Sequence, residues 1–216
     1  MKVSVIIPYN KDRGFLSQAV ASVENQLWFT MNEDYELIVE YGDCGVSTNI
    51  NNALKKCKGE YIKLCGEDDL LTPNCLKDLY TFAVQHDLDF VCANAINFQE
   101  DGTETVIKSF IPRTVNDLAM NNPFHGGTLL YRRTALPVWD ESMWTAEEYE
   151  ISLKMAAAGC KFGYLDSVVF RYRLGEQQKS GVYWQTDPDT KLYRFEYIEQ
   201  LQGRYLGNMK PINRIL

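Results

Sequence analysis

Two rhythms of apolar residues alternate through the first half of the chain. Val3–Ile7 is a continuous apolar run, the pattern of a strand buried on both faces, and Tyr35–Val39, Tyr61–Cys65 and Asp89–Ala93 read as further short strands. Between them the apolar spacing changes to three and four. Phe15, Leu16, Ala19, Val20 and Val23 recur within Arg13–Gln26, Ile50, Ala53, Leu54 and Cys57 follow, and Leu76, Leu79, Tyr80 and Ala83 come next. Each set lines one face of a helix. The punctuation agrees: Pro8 stops the first run, Ser47 or Thr48 can cap the second helix, and Gly59 lies just past its end. Thr72-Pro73 offers a capping hydroxyl followed by proline at the first helical position. Strands alternating with helices predict an α/β fold with a mostly parallel sheet.

After residue 93 the rhythm changes. Asn97–Glu104 holds the hairpin signal Asp101-Gly102, Thr128–Tyr131 reads as a strand, and Ala146–Ala158 as a helix. Phe162–Tyr172 is extended, and an aromatic-rich tail is helical around Thr190–Gln202. The expectation is a single domain over 1–216, with a nucleotide-binding half at 1–95 and a mixed α+β half at 96–216.

Composition narrows the partners. Lys+Arg 22 against Asp+Glu 29 gives a net charge of −7, which opposes sequence-independent nucleic-acid binding. No run approaches the roughly 20 apolar residues of a membrane span. Lys2 and Val3–Ile7 are too short for a signal peptide, so the chain is read as beginning with a strand. The six cysteines form no C-x-x-C pair and mostly sit in apolar segments, pointing to reduced thiols and a cytoplasmic location.

Ligands of open α/β sheets bind beyond the carboxyl ends of the strands. Those ends carry Pro8-Tyr9-Asn10, Glu40-Tyr41-Gly42-Asp43 and Glu67-Asp68-Asp69. Three successive carboxylates repel one another, and a divalent cation with hard oxygen ligands, Mg²⁺ or Mn²⁺, relieves this. A solvated acidic turn is the plainer alternative.

The order of motifs adds to this. Val3-Ser4-Val5-Ile6-Ile7-Pro8-Tyr9-Asn10, the helix positions Ala19, Ser22 and Gln26, and Asn51-Asn52-Ala53-Leu54 come first. Lys58-Gly59-Glu60-Tyr61-Ile62-Lys63-Leu64-Cys65-Gly66-Glu67-Asp68-Asp69 follows, then Ala146-Glu147-Glu148-Tyr149-Glu150-Ile151, Ala158-Gly159 and Arg171-Tyr172-Arg173. Over roughly residues 3–175 this series resembles the family-2 glycosyltransferases of the GT-A fold.

The resemblance implies an inverting transferase with a nucleotide-diphosphate sugar donor, foremost a UDP-sugar, and a glycan or other hydroxyl acceptor. It implies Mn²⁺ or Mg²⁺ on Asp69, with Asp68 as a metal or ribose contact. Pro8 and Tyr9 would border the base, with Asn10, Asn51 and Glu67 nearby. Glu148 takes the place of the general base, and Glu147 is its alternate.

The chain also departs from the family pattern. Gly66 stands where an aspartate is usual. Tyr41-Gly42-Asp43-Cys44 replaces the common base-holding loop, which suggests that Tyr41 stacks while Asp43 or Glu40 accepts a hydrogen bond. Gly175 stands in place of an occasional histidine ligand, with Glu176 a possible substitute.

Three other features have two readings each. His125-Gly126-Gly127 reads as a phosphate- or sugar-facing turn, or as an ordinary tight turn. Arg132-Arg133 could neutralise phosphate or sit on a solvated turn. Tyr183, Trp184, Tyr193, Phe195, Tyr197 and Tyr205 could floor an acceptor site or simply pack. The rival to an enzyme is a catalytically degenerate nucleotide-sugar-binding or assembly module. A nucleotidyltransferase would need a glycine-rich basic loop, and Asn10-Lys11-Asp12-Arg13-Gly14 has a single glycine.

Overall fold

β1 (Val3–Tyr9) lies between β2 (Tyr35–Tyr41) and β3 (Tyr61–Leu64) and pairs with both in parallel. The computed structural model describes residues 1–175 and 194–215. β1 does not stop at Pro8. Ile6 presents its carbonyl to the β3 side, where it accepts from the Cys65 amide, so Pro8, two residues on, faces the same way. The β1–β3 pairing ends at Ile6 and Leu64, and the N–H that proline lacks is therefore not missed.

From β3 the sheet continues through β7 (Leu130–Arg132), β5 (Phe90–Phe98) and β8 (Lys161–Arg173) to β4 (Leu70–Leu71). β7 is antiparallel to β3 and β5, whereas β5 and β8 run parallel with a bulge around Asn94. β6 (Glu104–Ile107) forms the expected hairpin with β5, and β9 (Asn213–Ile215) joins β8 in parallel. Gly102 turns the hairpin at φ 88°.

α1 (Leu16–Glu24) and α3 (Cys75–Gln85) cover one face, burying Val3, Val5, Ile7, Ala19, Val23, Leu76 and Leu79. α2 (Val46–Leu54), α4 (Val115–Met120), α5 (Glu147–Ala158) and α6 (Arg194–Gly203) belong to the other, around Ile6, Ile50, Ile62, Phe90 and Trp139. The periodicity of β1 thus divides its side chains between two cores.

Two helix starts differ from the sequence reading. Gly45, at φ 100°, is the N-cap of α2, and Ser47 lies inside the helix with a buried hydroxyl that finds no partner. α3 begins at Cys75 with Asn74 as its cap. Thr72 is drawn into the sheet instead: its amide donates to the Val169 carbonyl and its hydroxyl to that of Val168. Pairing of β4 with β8 outweighs the local capping preference. The strand expected from Thr128 begins at Leu130, because Gly126–Thr128 closes a 3-10 turn first.

No helix among the described residues is long and apolar enough to cross a membrane. All six cysteines are free thiols.

Candidate active site

A cleft of about 990 Å³ opens at the carboxyl ends of β1 and β3 and the N-terminus of α5. At one end lie Pro8, Tyr9, Asn10 and Asp43. Tyr41 is outside the cleft lining and 59% exposed, with its ring 5.3 Å from that of Tyr9 and its hydroxyl donating to Asp43. Asn49 fixes this end by donating to the carbonyls of Tyr9 and Gly42.

Two predicted contacts sit elsewhere. Glu40 pairs with Lys56 outside the cleft lining. Asn51 uses both ends of its amide to bind α2 to the Trp139 backbone, and it also donates to Glu141.

The acidic turn Glu67-Asp68-Asp69 forms the middle of the cleft. Arg13 approaches Glu67 at 2.7 Å as an ion pair and Asp68 at 3.1 Å. Asp69 is only 6% exposed and accepts the Arg173 amide at 3.0 Å. Burial, then the Asp68 charge, pushes the Asp69 pKa well above the usual carboxylate range. Burial and Asp68 push Glu67 upward as well.

Arg173 grips the turn a second time, its Nε donating to the Asp68 carbonyl while Phe15 and Phe98 flank its guanidinium. Ser22 and Gln26 hold the next segment in place. The Leu71 amide donates to Ser22, and the Leu76 amide to Gln26.

These residues fit a hard divalent cation. Two adjacent carboxylates face the cleft, and one is buried where negative charge needs compensation. Among the described residues no three His, Cys, Asp or Glu side chains form a complete cage. Mg²⁺ is commonly held by one or two carboxylates together with substrate phosphates.

The opposite wall is α5 and the turn before β7. Glu147 and Glu148 both line the cleft from the first turn of α5, where the helix dipole favours carboxylates. Ala146, the N-cap, is left-handed at φ 63°. A Cβ on Gly126 would lie 3.2 Å from the Glu148 side chain, and one on Gly127 would run into the Phe170 ring. Gly127 is therefore required by close packing against the sheet, and Gly126 lies tight against the base candidate.

His125 lines the same wall with its Nδ1 buried and without a hydrogen-bond partner among the described residues, and desolvation pushes its pKa down to about 4. Arg132 is occupied by Glu60, Asp87 and Asp89, and Arg133 donates to the Gly59 carbonyl, away from the cleft. Of the tail aromatics, Phe195, Tyr197 and Tyr205 are outside the cleft lining. Tyr183, Trp184, Tyr193 and Glu176 lie outside the described residues.

Sequence reasoning missed Arg13, Arg173 and Lys63, whose ammonium donates to the Gly127 carbonyl, as parts of this arrangement. A lysine inside an otherwise apolar strand run was the readable signal for the last.

With this geometry in hand, the family model for glycosyl transferase family 2 matches residues 40–141, a span that holds the acidic turn and the glycine turn. Residues 40–141 are thus similar to glycosyl transferase family 2. No curated protein matches the sequence.

Several solved structures share the fold. Staphylococcus aureus TarS 1-349 in complex with UDP is 17% identical with TM-score 0.60, covering 81% of this chain and 61% of its own. The same protein with UDP-GlcNAc gives TM-score 0.64 at 16% identity, covering 95% and 71%. The mannosyltransferase PcManGT from Pyrobaculum calidifontis, in complex with GDP-Man and Mn²⁺, gives TM-score 0.60 at 14% identity, covering 83% and 59%. This GT-A chain thus spans about three fifths of the first of these relatives.

Proposed function

We propose that the chain transfers a sugar, with inversion, from a nucleotide-diphosphate sugar to a hydroxyl of a glycan or other acceptor. A UDP-sugar is the foremost donor, and the complexes of TarS with UDP and UDP-GlcNAc support that choice. Residues 1–95 supply the donor half and 96–216 the acceptor half of one unit. Six free thiols support a reducing, cytoplasmic setting.

The observation that carries the reading is one cleft with the acidic turn on one wall and Glu147 and Glu148 on the other. Tyr9 and Tyr41 offer aromatic surface to the base, with Asp43 as acceptor for one of its donors. Asp68 and Asp69 would hold Mn²⁺ or Mg²⁺ together with diphosphate oxygens. Such an ion supplies Lewis-acid stabilisation of the departing nucleoside diphosphate. Asn10 and the backbone of the turn at 126–127 line the cleft where the donor's phosphates and sugar would lie.

Glu148 performs the proton step. As the acceptor oxygen bonds to the anomeric carbon and the bond to the diphosphate breaks, a Glu148 carboxylate oxygen takes the hydroxyl proton. Such assistance is worth about 10²–10⁴-fold. Glu147 is the alternate base.

Glu148→Gln should therefore keep UDP affinity by calorimetry and lose at least about 10²-fold in kcat, and anomeric NMR of the product should show inversion. Retention, or a near-normal rate in the variant, overturns the assignment. The rival, a binding module without turnover, draws on Gly66 and on the Arg13 bridge across the acidic turn. Donor turnover by the wild type decides against it.

A further inference from the structure

Lys63 is fully buried in β3, an ammonium in a layer that otherwise holds Cys65, Cys75 and Phe170. Its Nζ donates to the Leu64 carbonyl at 2.8 Å and to the Gly127 carbonyl, and it lies 5.0 Å from the centre of the Phe170 ring. Among the described residues no carboxylate pairs with it directly. Burying a cation is costly, and an apolar side chain of similar volume is often the more stable occupant. A lysine here needs a reason beyond stability.

The geometry supplies one. Leu64 is the last residue of β3, so the strand runs on directly into the acidic turn. Gly127 belongs to the 3-10 turn whose neighbour Gly126 packs on the Glu148 side chain. Phe170 closes the triangle, since its ring fills the space beside Gly127. The ammonium thus ties the strand that delivers the acidic turn to the turn that braces the base candidate. Burial pushes the Lys63 pKa down, and the charges of Asp69 and Glu148 act in the other direction.

We propose that Lys63 is a positioning residue for transfer, clamping the Gly127 carbonyl to the end of β3 so that Glu148 keeps its place opposite the acidic turn. This rests on the reading of Glu148 as the base. Lys63 touches neither donor nor acceptor, so its loss alters the alignment of reacting groups and leaves nucleotide affinity intact.

The test compares wild type, Lys63→Met and Lys63→Gln as full chains, the last retaining an amide donor toward Gly127. UDP affinity is measured by calorimetry, turnover with UDP-GlcNAc, and amide hydrogen exchange by mass spectrometry over residues 124–130. Lys63→Met is expected to bind UDP within about twofold of wild type and to lose about 10²-fold in kcat, the scale of a small misplacement of reacting groups. Lys63→Gln should recover part of that loss. Exchange at 124–130 should rise at least about tenfold in Lys63→Met while β1 and β2 stay protected.

Unchanged exchange at 124–130 overturns the clamp whatever the activity. So does a fall in UDP affinity that parallels the fall in kcat. If Lys63→Met does not fold, the same readings on Lys63→Gln decide, and a variant that loses only melting temperature overturns the proposal. A wild type without turnover, alongside the expected exchange change, overturns the transferase reading and leaves the clamp supported.

Discussion

Gly66 shows how tightly the acidic turn is built. A Cβ there would lie 2.6 Å from Asp69 Oδ2 and 3.2 Å from Asp68 Oδ1. The family pattern places an aspartate at this position, yet this turn has closed over the space. Gly66→Asp is therefore expected to weaken Mn²⁺-dependent UDP binding rather than improve it, by about 10–100-fold, the usual cost of disturbing groups around a metal ligand. Calorimetry with and without Mn²⁺ reads the effect, and tighter binding in the variant would count against the packing argument. The same crowding explains why the carboxylates were easier to find than their supports. Three acids in a row are visible in any sequence. Arg13 and Arg173 reach them from 54 and 104 positions away, counted from Glu67 and Asp69, and no local pattern announces such partners.

At the scale of elements, apolar periodicity located the strands and helices of the front half because burial is what the periodicity records. Helix starts were less legible, since a capping residue is chosen by local geometry only where the sheet leaves it alone. Thr72 lost its expected capping role to a strand pairing with β8, nearly a hundred residues on. α5 gives the sharpest case. Its N-cap is Ala146 in a left-handed conformation, immediately before Glu147 and Glu148. That conformation costs a residue with a Cβ about 1–2 kcal/mol. Ala146→Gly should relieve most of this and raise the melting temperature by about 2–4 °C. A lower melting temperature would mean that the Ala146 methyl contributes more by packing than its backbone strain costs.

Across the whole molecule, the cleft lies where an α/β sheet is expected to bind ligands, and this placement was readable from strand ends alone. What the sequence did not disclose is that the two halves share one sheet through antiparallel β7, which brings the turn at His125 into the same cleft as the acidic residues.

That arrangement has an acid-stability signature. His125 in the folded chain titrates at about 4, held down first by desolvation and then by the Lys63 charge, whereas an unperturbed histidine titrates near 6.5. Between these values the unfolded chain binds a proton that the folded chain refuses, so the His125 contribution to stability is lost as pH falls through that window. Asp69 and Glu67, shifted upward, work in the opposite sense: they favour the folded state as pH falls toward the unfolded carboxylate value. Urea unfolding of wild type and His125→Gln at pH 7 and 4.5 separates the two. The difference between wild type and variant should move against wild type at the lower pH, and a pH-independent difference would show that His125 takes up its proton as readily in the folded chain as in the unfolded one.

The free thiols carry a last consequence. Cys44 is exposed, whereas Cys65, Cys75 and Cys92 are buried and their pKa values are driven upward by desolvation. A thiolate-specific reagent at neutral pH therefore meets Cys44 at once and the other three only when the protein opens. Cys65 lies directly beneath the acidic turn, its thiol near the carbonyls of Gly66 and Asp69. The rate at which a label reaches Cys65 is thus a clock for that turn's excursions, and a bound nucleotide that steadies the turn will slow it.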